Sequence, residues 1–153
     1  MLLGVAGLLV WGGVVVYPLL APRTVLVRVE GERSLEVNAA VAAGPVARYL
    51  GLMFRETLAP DQGMWFEYDR PRPRAFWMKY TRIPLDIVFI GPDLEVLNVA
   101  EADPCEASPC RRYRSDGPAQ FVLEVRRGLC REAGVRPGAR VWVGQGGASS
   151  GGE

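Results

Sequence analysis

Residues 2–22, LLGVAGLLVWGGVVVYPLLAP, contain no charged side chain. As a helix, about 20 apolar residues reach about 30 Å, the thickness of a bilayer's hydrocarbon core. A cleaved secretory signal pairs a basic start with an apolar run of about 7–15 residues and a small-residue cleavage site. Here the apolar run is longer, and cutting after Ala21 would leave Pro22 at the new N-terminus. Segment 1–22 is therefore read as one N-terminal transmembrane helix that stays attached, with a signal segment as the alternative. Tyr17 lies near one end of it, where interfacial aromatics are common. No Lys or Arg precedes the run, while Arg23 and Arg28 follow it, and the positive-inside rule alone would put the following domain in the cytoplasm. The cysteines point the other way.

Cys105 and Cys110 sit in DPCEASPC, a loop that closes with a disulfide if the two Cα atoms come within about 4.4–6.8 Å. Such a pair is oxidised outside the cytoplasm. Cys130, in GLCREAG, has apolar neighbours and reads as a buried, inert thiol. The chain has no histidine and no second cysteine pair, so no metal site and no cofactor are expected, and Ser-His-Asp or Cys-His chemistry is excluded. The expectation is a single-pass protein of the cytoplasmic membrane with its domain outside.

Beyond Pro22 the chain alternates. Thr24–Glu30 (TVLVRVE) and Ser34–Val41 place β-branched and apolar residues at every second position around a Gly31-Glu32 turn, the pattern of a hairpin. Pro45 can open a short helix because its fixed φ and missing N–H suit a first turn. Met64–Tyr68, Ala75–Lys79, Leu85–Ile90, Leu94–Ala100, Gln120–Arg126 and Arg140–Val143 read as strands, with a second short helix near Leu129–Ala133. Asp69–Arg74 (DRPRPR) reads as a proline-stiffened, solvated loop, its three arginines also able to form an anion patch. The expected fold is mainly β (α+β): a compact, barrel-like domain over residues 24–143 with two short helices, then a disordered tail over 144–153, GQGGASSGGE. Net charge is +1, which gives no basic stripe for nucleic acid, and no nucleic-acid partner is expected.

The densest signal lies in GLMFR (Gly51–Arg55), GMWF (Gly63–Phe66), FWMKYT (Phe76–Thr81), IPLDIVFI (Ile83–Ile90) and FVLEVRRG (Phe121–Gly128). In this order the five motifs resemble the domain-of-unknown-function family one-hundred-ninety-two, over about residues 25–143. The resemblance implies a small, often exported prokaryotic domain without an assigned reaction. The family pattern has Trp-Met-Lys-Asn-Thr where this chain carries Tyr80, so any ligand contact made by that Asn is altered here.

Within these motifs Met53, Phe54, Met64, Trp65, Phe66, Phe76, Trp77 and Met78 are core candidates, some of which can instead line an apolar groove. Arg55, Lys79, Thr81, Asp86 and Glu124 each interrupt apolar runs, and a charge in that setting must be exposed, paired or neutralised. Lys79 is the single lysine beside 17 arginines. Arg55, Lys79, Thr81 and Asp86 are the candidate ligand-binding residues. Lys79 and Asp86 flank Arg82-Ile83-Pro84, a turn expected to bring them to one site. The function expected is a membrane-anchored extracytoplasmic binding module for a small molecule, glycan or protein. The alternatives are a small hydrolase or transferase using Lys79 with Asp86 or Glu124, and a structural partner in an envelope complex.

Overall fold

The computed structural model describes residues 23–145 and, ahead of them, 10–11 and 14–15. Val10–Trp11 (β1) and Val14–Val15 (β2) pair antiparallel. The rest of the expected membrane helix and the expected tail beyond Gln145 lie outside the described residues. Among those described, no helix is long and apolar enough to cross a membrane.

Thr24–Val29 (β3) and Leu35–Ala42 (β4) form the expected hairpin, and Pro45–Leu50 (α1) starts at its proline. Gln62–Trp77 (β5), Leu85–Ile90 (β6), Val96–Ala102 (β7), Arg112–Arg126 (β8), Leu129–Ala133 (α2) and Val141–Gln145 (β9) follow. Seven strands make one sheet in the order β7-β6-β8-β5-β4-β3-β9. Only β4 and β5 run parallel. The two ends of the sheet meet where Glu95 bridges Arg140, with Val96 N–H donating to Ala139 O (2.9 Å) and Val141 N–H to Leu94 O (2.8 Å). The sheet thus closes into a barrel, which removes its exposed edges there.

Side-chain alternation sorts the apolar residues into two layers. Val27, Val37, Trp65, Val88, Leu123 and Val125 fill the barrel, and Leu129, Cys130 and Ala133 of α2 plug it. Phe66, Leu85, Ile87, Phe89 and Val122 project from the opposite face of the central strands into a second cluster, covered by Leu52, Leu58 and Met78. All six residues of β6 are buried, which is why LDIVFI reads as a continuous apolar run rather than an alternating one.

Three boundaries differ from the sequence reading. Met64–Tyr68 and Ala75–Trp77 belong to one strand, DRPRPR is part of it rather than a loop, and Met78 and Lys79, expected in a strand, lie beyond its end, Lys79 in a turn. Prolines are excluded from strand centres because they lack an N–H, yet beyond Phe66 β5 pairs only with β8, and register shifts at Glu67/Arg72 and Pro73/Ala75 absorb them. For the same reason β8 begins at Arg112, well ahead of Gln120. Gly144 and Gln145, assigned to the tail, finish β9. Cys105 and Cys110 are disulfide-bonded with Cα atoms 5.5 Å apart, and Cys130 is free and buried.

Candidate functional site

The C-terminal end of α1, the connection after it, β5 and β8 enclose a cleft of about 200 Å³ on the outer face of the barrel. Tyr68, Phe76 and Trp77 of β5 line it together with Gly51 and Met53. Thr81 and Glu124 contribute its polar groups, both buried. Gly51 takes φ +48°, and a Cβ there would lie 3.3 Å from the Phe66 ring and 3.8 Å from Glu124 Oε2. The positive φ favours glycine, and a Cβ would press on the Phe66 ring, while its distance from the carboxyl would be ordinary contact.

Glu124 is 5% exposed, and its Oε2 has no hydrogen-bond partner. Burial without a neighbouring cation disfavours the anion and pushes the carboxyl up to about 8, so at neutral pH it is a neutral acid able to donate one hydrogen bond. Arg48 stands at the rim, 5.0 Å from the Tyr68 centroid, and donates to the carbonyls of Ala43 and Glu67. Arg74 covers the same ring at 3.6 Å.

The structure divides the residues singled out in the sequence. Thr81 and Glu124 meet in the cleft. Lys79 stands beside it, half-buried, with Nζ 5.3 Å from the Trp77 centroid and 5.1 Å from that of Tyr80. It makes no ion pair among the described residues. Arg55 is exposed and does not line the cleft.

Asp86 is elsewhere. It pairs in register with Val125, whereas Glu124 pairs with Ile87, so the two carboxyls lie on opposite faces of the sheet. Asp86 Oδ2 accepts hydrogen bonds from Gly128 N–H and Cys130 N–H, both 3.0 Å, and so caps α2 from a different strand. Burial raises its pKa and these two N–H donors only partly oppose that. The expected Lys79–Asp86 site is therefore not assembled: one residue flanks the cleft, and the other holds the barrel's plug. Burial and the Asp86 carboxyl also push the Cys130 thiol up, which keeps it protonated.

Of the groove candidates, Met53, Phe66, Phe76 and Trp77 do line the cleft, while Trp65 is in the barrel core. Sequence reasoning missed Arg48, Tyr68 and Gly51. The glycine of GLMFR was the available signal for a close backbone approach.

Phe54 and Tyr80 stack at 5.5 Å, largely exposed, and both have left-handed backbones, φ +64° and +59°. Phe54 N–H donates to Tyr80 O at 2.8 Å. A left-handed non-glycine residue costs on the order of 1–3 kcal/mol, least for Asn. The Asn of the family pattern at position 80 thus has a backbone reason. Tyr80→Asn is expected to melt at or above the native temperature. Tyr80→Val, equally unable to stack but β-branched, is expected to lose roughly 2 kcal/mol. Equal losses in thermal melts of the two variants would refute the backbone explanation.

Comparison with known proteins agrees with this architecture. The family model DUF192, described as an uncharacterized ACR, matches residues 25–143, and the chain belongs to that family. A proposed transcription regulator from Sinorhizobium meliloti 1021 is 32% identical with TM-score 0.74, over 81% of this chain and 96% of that one. A protein of unknown function from Novosphingobium aromaticivorans DSM 12444 is 35% identical with TM-score 0.75, over 83% and 90%. Comparison with curated proteins gave no match.

Proposed function

We propose that this domain is an extracytoplasmic binding module, tethered by its N-terminal apolar segment, that takes a small molecule or one unit of a larger ligand into the cleft beside Glu124. The observation that carries the reading is the Glu124 carboxyl, buried, unpartnered at Oε2 and bordering a cleft of about 200 Å³. An unsatisfied buried polar group costs about 1–3 kcal/mol, and a bound acceptor such as a carbonyl or hydroxyl oxygen would satisfy it. The aromatic walls suit a sugar or other ring. Exposed Tyr49, Leu50, Phe54 and Tyr80 nearby offer further contact area to a larger ligand.

The Cys105–Cys110 bridge supports an oxidising compartment. That weighs against importing the transcription-regulator description of the Sinorhizobium protein. Lys79 makes no ion pair among the described residues, and a small hydrolase or transferase using Lys79 with Glu124 is the alternative proposal for the same cleft.

Mass spectrometry of molecules released from the purified full chain tests the reading. One species should co-purify with the native protein and fall at least tenfold with Ala75→Trp, which fills the cleft from an exposed position outside the barrel core. A species retained equally by that variant, or none at all, contradicts binding in the cleft.

A further inference from the structure

Beyond Phe66 of β5 and ahead of Phe121 of β8, the two strands pair only with each other, as a ribbon running past the barrel. The ribbon carries two arginine-rich stretches far apart in sequence, DRPRPR (residues 69–74) and RRYRSD (residues 111–116), staggered along its length, with Arg72 opposite Ala119, Arg114 opposite Ala75 and Arg112 opposite Trp77. They hold six arginines against two aspartates in a chain whose net charge is +1. Arg74 is built into the ribbon, donating to the carbonyls of Arg70 and Ala119. Arg70, Arg72, Arg111, Arg112 and Arg114 are exposed. None of these five has an ion-pair partner among the described residues, whereas Arg28, Arg82, Arg127, Arg131 and Arg136 do. Protecting the β8 edge does not require such charge, because Asn98 of β7 already donates to the Arg114 carbonyl and accepts from the Asp116 N–H.

The base of the ribbon lies beside the start of the domain. Arg23, which directly follows the uncharged run 2–22, pairs with Glu67 at 2.6 Å, and its carbonyl accepts from Val41 N–H at 2.8 Å. The apolar segment therefore joins the domain where the ribbon leaves the barrel.

We propose that the ribbon, through Arg70, Arg72, Arg112 and Arg114, docks the domain onto the anionic headgroups of the bilayer that its apolar segment enters. This rests on the tethered reading above. Each arginine at an anionic surface strengthens partition about fivefold, an effect that salt screens. Tyr68 and Trp77 belong to both the ribbon and the cleft wall, so docking would hold the cleft close to the membrane surface.

Arginine modification by phenylglyoxal, followed residue by residue by mass spectrometry, tests this on the full chain in lipid discs. Discs of phosphatidylcholine alone are compared with discs in which about a third of the lipid is phosphatidylglycerol, a surface negative enough to recruit arginines. Arg70, Arg72, Arg112 and Arg114 should react severalfold more slowly on the anionic discs, and about 0.5 M salt should abolish the difference. Arg28 and Arg136 should react equally on both. A chain that resists carbonate extraction but shows equal reactivity on the two discs overturns the docking proposal and leaves the tether standing. A chain that carbonate extracts, yet floats with anionic vesicles until Arg70, Arg72, Arg112 and Arg114 are all changed to Gln, upholds docking and overturns the tether. Protection by duplex DNA without protection on anionic discs assigns the ribbon to nucleic acid and overturns the membrane partner.

Discussion

The protein should lose stability steadily between pH 5 and pH 8, and Glu124→Gln should remove most of that loss. The folded carboxyl titrates at about 8 against an ordinary value of 4.5. Below 4.5 both folded and unfolded chains carry the proton. Between the two values the unfolded chain gives it up while the folded chain keeps it, so rising pH favours unfolding by about 1.4 kcal/mol per unit. The stability this group confers is fully present below 4.5 and is lost as pH rises through 8. Its total is on the order of 5 kcal/mol. Glutamine keeps the shape but cannot ionise. The variant should be slightly less stable than the native protein near pH 5 and more stable, by several kcal/mol, near pH 9. Urea denaturation across this range provides the check. Parallel stability curves for the two proteins would mean that Glu124 is solvated and the cleft is not what the geometry describes.

Asp86→Ala should destabilise the domain by about 3 kcal/mol while leaving any cleft ligand bound. The substitution strands two N–H groups at the start of α2, combining a lost helix cap of about 0.5–2 kcal/mol with buried, unpaired donors at about 1–3 kcal/mol. Asp86→Asn keeps an acceptor oxygen and should lose less. Lys79→Met should change stability by less than about 0.5 kcal/mol, since no ion pair is broken. Hydrogen exchange would localise the Asp86→Ala loss to Leu129–Ala133. Comparable losses in Lys79→Met and Asp86→Ala that fail to add in the double variant would restore the idea of a Lys79–Asp86 pair.

The contrast between these carboxyls shows what was legible in the sequence. The β3–β4 hairpin, both helices and β6 followed from local signals: alternation, a helix-opening proline and apolar runs closed by turn residues. Asp86 and Glu124 were visible as charges within apolar runs, but their directions were not. The central strands are buried on both faces, so LDIVFI and FVLEV carry no in-out alternation from which to read which face a carboxyl takes. That information resides in the β6–β8 register, a property of two strands some 35 residues apart rather than of either alone. The ribbon was hidden for a different reason: prolines that end a central strand are tolerated at a free edge, and edge status is set by topology. The cleft residues Arg48 and Tyr68 carry no distinctive local pattern.

The proposed binding rests on a neutral carboxyl bordering the cleft. Carbon-13 NMR of the protein labelled at glutamate side-chain carboxyls, titrated beside Glu124→Gln, measures it directly. One resonance, missing in the variant, should titrate at about 8. If every glutamate, Glu124 included, titrates within about a unit of the ordinary value, the carboxylate is solvated or paired and the account of the site is wrong.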